Sequence, residues 1–139
     1  MRVALVGFGA VGRGFADAVL GGALDDVDVD VVLVADSSSV ALDDDGLDLE
    51  AVKRRKDDED VVGDSEDTVG ALEDTDYDVL VEASPTTLGD AQPAFSYMTT
   101  AMENGAHVVT SNKGPLAMRY GKVMNAAEEA GVEVRMEGA

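Results

Sequence analysis

Three glycines at fixed spacing near the start of the chain, in Gly7-Phe8-Gly9-Ala10-Val11-Gly12, are the residues best placed to do chemistry, and that chemistry is phosphate binding. In the pattern G-x-G-x-x-G the first glycine permits a tight turn, the second lets a pyrophosphate approach the backbone, and the third lets a helix pack closely on a strand. A helix opening at this point offers free N–H groups and the positive end of its dipole to an anion. Context gives the pattern its weight. The apolar run Arg2-Val3-Ala4-Leu5-Val6 precedes it, and Val11, Phe15 and Val19 follow at helical spacing. A tight structural turn without a ligand is the alternative.

A second chemical group lies where a dinucleotide would need it. Asp36 stands 24 residues after Gly12 at the end of the apolar run Val29 to Ala35, where a carboxylate can accept hydrogen bonds from the adenosine ribose hydroxyls. That acid favours NAD over NADP. Against it, Ser37-Ser38-Ser39 can donate to a 2′-phosphate and the basic run Lys53-Arg54-Arg55-Lys56 could fold back towards it, although such a run also suits a helix C-terminus. The cofactor is therefore expected to be NAD or NADP, with NAD slightly favoured.

Ser84 and Lys113 each follow the end of an apolar strand pattern, and ligands of doubly wound sheets bind at those carboxyl ends. A lysine ammonium in that position can polarise a carbonyl oxygen or donate to a ribose hydroxyl. Glu82 lies at the same edge. With no histidine beside it in the sequence, a hydrogen-bonded structural role suits it better than that of a general base. His107, the one histidine, opens a strand and is read as structural.

The elements that must carry these residues alternate. Strand Arg2 to Val6 leads through the glycine turn into a helix stopped by Gly21-Gly22, and Val29 to Ala35 is the second strand. Between Ser37 and Asp78 the pattern is weak, with one short helix capped by Asp48 and a second containing Val69 and Leu72. Val79-Leu80-Val81 forms the third strand. A helix over 91–104 has Pro93 early in its first turn, and His107-Val108-Val109-Thr110 is the fourth strand. A single helix from Leu116 to Ala130 and a fifth strand from Val132 to Met136 complete the chain. This order predicts an α/β fold, a doubly wound, Rossmann-like parallel sheet with helices on both faces, occupying 1–139 as one dinucleotide-binding domain.

Composition narrows the setting. The 139 residues suit one domain, and with aromatics at 4% the core must be aliphatic. Ten basic against 29 acidic residues give a net charge of −19, which molar salt would screen, so the sequence suggests the cytoplasm of an extreme halophile. Such charge repels nucleic acid, and no apolar run approaches the ~20 residues of a membrane span. The chain has no cysteine, which removes thiolate chemistry, and its acidic runs are read as solvated surface with no metal assigned.

The segments Val81-Glu82-Ala83-Ser84-Pro85-Thr86 and His107-Val108-Val109-Thr110-Ser111-Asn112-Lys113-Gly114-Pro115-Leu116-Ala117 resemble the cofactor domain of homoserine dehydrogenase, and with the acidic composition the haloarchaeal type of it. The resemblance runs the length of the chain and is most specific at Asn112-Lys113-Gly114-Pro115. It implies an enzyme interconverting aspartate 4-semialdehyde and L-homoserine with NAD(P)H, on the route to threonine, methionine and isoleucine. It places the backbone of Phe8, Ala10 and Val11 on the pyrophosphate, Ser84 near the nicotinamide and Lys113 at the cofactor–substrate junction as the catalytic residue. It also implies a substrate and dimerisation domain absent from these residues, so the small amino-acid substrate would be bound elsewhere, a homo-oligomer is compatible, and this chain alone is expected to bind cofactor without turnover. Glu137 matches the start of a monovalent-cation site whose other ligands would lie past Ala139, and no metal is assigned to it. A related amino-acid dehydrogenase, such as an aspartate dehydrogenase, and a non-catalytic NAD(P)-binding module are the competing readings.

Overall fold

The computed structural model describes residues 1–136. Its sheet has six strands: β1 (Arg2–Val6), β2 (Asp30–Ala35), β3 (Val40–Leu42), β4 (Val79–Glu82), β5 (His107–Thr110) and β6 (Val134–Met136), in the order β3-β2-β1-β4-β5-β6. All neighbours run parallel except β3, which pairs antiparallel with β2 through Leu33–Leu42, Val34–Ala41 and Ala35–Val40. The strand order reverses between β1 and β4, and the crevice at their carboxyl ends is where such sheets bind ligands.

Helices cover both faces. On one, α3 (Thr68–Asp74), α4 (Ala94–Glu103) and α6 (Tyr120–Ala130) bury Leu72, Met98, Met102 and Val123 against Leu80 and Val108. On the other, α1 (Ala10–Leu20) and α2 (Leu49–Glu59) bury Ala16, Leu49 and Val52 against Val3, Leu5 and Val31. Over β4 and β5 this second face is half open. Leu80, Glu82 and Val108 are fully buried, whereas their neighbours Val79, Val81 and Val109 are half-buried and line an apolar cavity of about 550 Å³ with Val3, Phe15 and Leu24. No described helix is long and apolar enough to cross a membrane.

The local signals for the weak middle region are realised. Asp48 caps α2 by accepting from the Ala51 N–H at 3.2 Å, and Asp67 caps α3 by accepting from the Gly70 N–H at 2.9 Å. Four expectations need correction. The sheet is not wholly parallel, because the unforeseen β3 adds an antiparallel edge. The helix expected over 91–104 begins only at Ala94, with Pro93 as its N-cap. The helix expected from Leu116 to Ala130 is two helices, α5 (Lys113–Met118) and α6, divided at Arg119. There the Arg119 Nε donates to the Asp90 carbonyl at 2.7 Å and the guanidinium lies 4.7 Å from the centre of the Phe95 ring, so tertiary contacts hold the residue out of helical geometry. The last strand also starts two residues later than expected, at Val134. Glu137 lies outside the described residues.

Candidate cofactor-binding site

The glycine turn is built as its spacing requires. Gly7 has φ of +101° and donates its N–H to the Ala35 carbonyl at 2.8 Å, tying the turn to the end of β2. A Cβ at Gly7 would fall 2.3 Å from the Ala83 carbonyl carbon, and one at Gly12 would fall 1.8 Å from the Gly7 oxygen. Those two glycines are therefore demanded by the packing of β4 and α1 on the turn. Gly9 differs, for a Cβ there would meet nothing within 4 Å. Its missing side chain leaves open space in front of α1, and Gly9 as N-cap supplies no side-chain cap to that helix. The first N–H groups of α1, at Ala10, Val11 and Gly12, have no intrahelical partner, and no acid stands in the first turn.

A cavity of about 520 Å³ joins this turn to both neighbouring strand ends, with Gly7, Phe8 and Gly9 at its centre, Asp36 and Lys56 at one side and Ser84 at the other. Asp36 is buried. Its Oδ1 accepts from the Ser38 N–H at 2.9 Å, the Ser39 N–H at 2.6 Å and the Ser39 hydroxyl at 2.8 Å, while its Oδ2 meets Lys56 Nζ at 2.8 Å. Burial alone would raise the carboxyl pKa, but the Lys56 ammonium and the serine donors together outweigh it and hold the group below its ordinary value. Lys56 is raised in turn, chiefly by its bond to Asp36.

At the opposite end, Glu82 is fully buried and stands in register beside Thr110. Its Oε1 accepts from the Ser84 N–H at 3.0 Å and from the Ser84 hydroxyl, and its Oε2 accepts from the Thr110 hydroxyl at 3.2 Å. Burial raises the Glu82 pKa, and the donors from Ser84, Thr110 and Asn112 offset that only in part. Asn112 caps α5 by accepting from the Gly114 N–H at 2.9 Å, and its amide donates to Ser84 Oγ at 3.4 Å and the Pro85 carbonyl at 3.2 Å.

The structure thus brings Gly7, Phe8, Gly9, Asp36 and Ser84 to one cavity. Gly12 lies beneath the turn, and Ala10 and Val11 contribute the start of α1, with the Val11 side chain reaching the separate apolar cavity. Lys113 is exposed at the first position of α5 and is not part of the 520 Å³ cavity, its backbone N–H lying 3.4 Å from Thr86 Oγ1. Tyr97 lines the cavity without having been singled out from the sequence, and Lys56, of the basic run that could fold back towards this corner, lines it too. Lys56 does both things weighed for its run, standing in the last turn of α2 and folding back across 20 residues to Asp36. His107 accepts the Glu133 N–H on Nδ1 at 3.0 Å, which ties β5 to the segment leading into β6.

Residues 7–137 match the family described as the NAD binding domain of homoserine dehydrogenase. The whole chain is 35% identical to a homoserine dehydrogenase of Methanocaldococcus jannaschii, of which it spans 44%. Among solved structures, a putative homoserine dehydrogenase of Archaeoglobus fulgidus superposes with a TM-score of 0.86 at 33% identity, over 98% of this chain and 42% of the other. The homoserine dehydrogenase of Thermoplasma acidophilum gives a TM-score of 0.89 at 27% identity, over 99% and 43%. A hyperthermophilic archaeal homoserine dehydrogenase in complex with NADPH gives 0.79 at 25% identity, over 98% and 43%. The chain therefore spans less than half the length of these relatives, and it belongs to the homoserine dehydrogenase family as its NAD-binding domain.

Proposed function

We propose that this chain binds the nicotinamide dinucleotide of an enzyme that interconverts aspartate 4-semialdehyde and L-homoserine, the remaining part of the enzyme supplying the substrate site. The observation that carries the reading is the single cavity in which the glycine turn lies between Asp36 and Ser84. The open space over Gly9 and the uncapped start of α1 fit a pyrophosphate. When bound, the nicotinamide supplies or accepts the hydride at C4 of the substrate.

The chain's own residues bind and orient. The backbone of Phe8, Ala10 and Val11 holds the pyrophosphate, Asp36 the adenosine ribose and Ser84 the nicotinamide end. Lys113, as the catalytic residue, extends from the start of α5 towards the junction with substrate, where its ammonium stabilises charge on the reacting oxygen. NAD is favoured by the Asp36 carboxylate, and Lys56 beside it is what admits the 2′-phosphate of NADP.

The charge of −19 marks a haloarchaeal type working in a cytoplasm of molar salt, in the biosynthesis of threonine and methionine. Residues 1–139 form the dinucleotide-binding domain, which meets neither nucleic acid nor membrane, and the enzyme is a homo-oligomer through its other domain. Titration of the chain with NADH and NADPH in molar KCl, followed by nicotinamide fluorescence, should saturate. The full-length gene product should reduce NAD⁺ with L-homoserine and leave L-aspartate untouched. Reduction with L-aspartate instead would replace this reading by an aspartate dehydrogenase.

A further inference from the structure

Glu82 lies at the carboxyl end of β4 with its side chain fully enclosed, and no cation among the described residues pairs with it. A buried carboxylate without a counter-charge is costly, and its donors here belong to the site's edge, chief among them the Ser84 N–H and hydroxyl on Oε1 and the Thr110 hydroxyl on Oε2. A hydroxyl has one proton and two lone pairs. Ser84 gives its proton to Glu82 Oε1, and Asn112 Nδ2 approaches one lone pair at 3.4 Å. One lone pair remains, and Ser84 is a half-buried residue that lines the cavity.

We infer that Glu82 is a positioning residue that fixes the Ser84 hydroxyl as a hydrogen-bond acceptor towards the cavity, so that the site selects a ligand end carrying an N–H donor, the primary carboxamide of a nicotinamide ring. Oε1 accepts from two donors of Ser84, so a proton taken up by Glu82 would sit on Oε2, towards Thr110, and leave the Ser84 orientation unchanged. The same cluster holds the two loops together. Asn112 bridges Ser84 and Pro85 to the start of α5, and the Ser111 N–H donates to the Glu82 carbonyl at 3.0 Å. The carboxamide preference is thus set from within the fold, by a side chain that touches no ligand.

This inference rests on the proposed placement of the nicotinamide at Ser84, and its test separates the two. Dissociation constants are measured on the 139-residue chain in molar KCl for NADH, for its reduced 3-acetylpyridine analogue, whose methyl ketone has no N–H, and for ADP-ribose, which has no nicotinamide. The unaltered chain should prefer NADH over the analogue by roughly three- to tenfold, the range of one hydrogen bond. Glu82→Gln keeps an acceptor oxygen for Ser84 and should keep the preference. Glu82→Met, apolar and of similar size, and Ser84→Ala should bring the ratio close to one while ADP-ribose binds as before. The inference is overturned if the unaltered chain does not discriminate, if Glu82→Met or Ser84→Ala still does, or if Glu82→Gln loses the ratio. Failure of the unaltered chain to bind ADP-ribose would instead refute the cofactor reading itself. Ser84→Ala, at a half-buried loop position, keeps the test decisive should Glu82→Met fail to fold.

Discussion

Lys56 Nζ lies 2.8 Å from Asp36 Oδ2, so the acid expected to read the ribose and a base from the end of α2 share one corner of the cavity. The pair is mostly enclosed, with the side chains 5% and 20% exposed, and on the proposed reading it stands where the two nucleotides differ. Lys56→Met leaves Asp36 with its serine donors but removes the one cation that lines this cavity among the described residues. NADPH affinity should fall by roughly 10- to 100-fold, the worth of a charge-assisted hydrogen bond, while NADH affinity changes less than about threefold. Titration of both nucleotides against the same variant checks this, and an equal loss for the two would remove Lys56 from cofactor choice.

The three glycines of the turn should separate by experiment into one that serves the ligand and two that serve the fold. A side chain at Gly9 meets no protein atom, so Gly9→Val should abolish saturable NADH binding and leave the melting temperature within a few degrees. Gly12→Val drives a side chain into the Gly7 carbonyl and should destabilise by about 2 kcal/mol or more. Thermal melts beside binding isotherms distinguish them. Unimpaired binding by Gly9→Val would mean that the space over Gly9 is not where the pyrophosphate lies.

What the sequence made legible was whatever its local pattern encodes. The run from Arg2 to Gly12 declares strand, turn and helix within a dozen residues, and Asp48 announces α2 by its cap. The residues that escaped are those whose roles depend on distant partners. Val40–Leu42 is too short to read as a strand and forms one only by pairing with β2. Arg119 breaks a continuous helical pattern because Asp90 and Phe95 capture its guanidinium. Glu82 was readable as a hydrogen-bonded acid, but its grip on Ser84 and Thr110 needed β4 and β5 in register.

Two buried carboxyls should pull stability in opposite directions with pH. Asp36 has a lowered pKa in the folded state, so its contribution is present above the ordinary carboxylate pKa and is lost as pH falls through the folded value. Glu82 has a raised one, so its contribution is present below the ordinary value and is lost as pH rises through the folded value. Glu82→Gln removes that loss. Its melting temperature relative to the unaltered chain should therefore climb as pH rises from about 4 towards neutrality, given a reference Glu pKa near 4.3. Melts of both proteins at matched pH and salt test this, and a difference that stays constant over the range would mean that Glu82 titrates alike in the folded and unfolded chains.

Salt should stabilise this domain despite the eight ion pairs among its described residues. Most of those pairs are exposed, as in Arg13–Asp57 at 2.7 Å with side chains 31% and 60% exposed, and such pairs contribute about 0–1 kcal/mol each. Against them stands a net charge of −19 confined to 139 residues, whose repulsion acts over about 10 Å at 0.1 M salt and about 3 Å at 1 M. Screening removes the long-range repulsion, and exposed pairs of this kind contribute too little to offset that gain. Raising KCl from 0.1 to 2 M should lift the melting temperature by roughly 10 °C or more, about 2–3 kcal/mol for a domain of this size. Replacing Asp57, Asp58 and Asp60 with asparagine should reduce that gain. A melting temperature that stays flat or falls with KCl would show that the ion pairs, and not the surplus of acid, govern the stability of the surface.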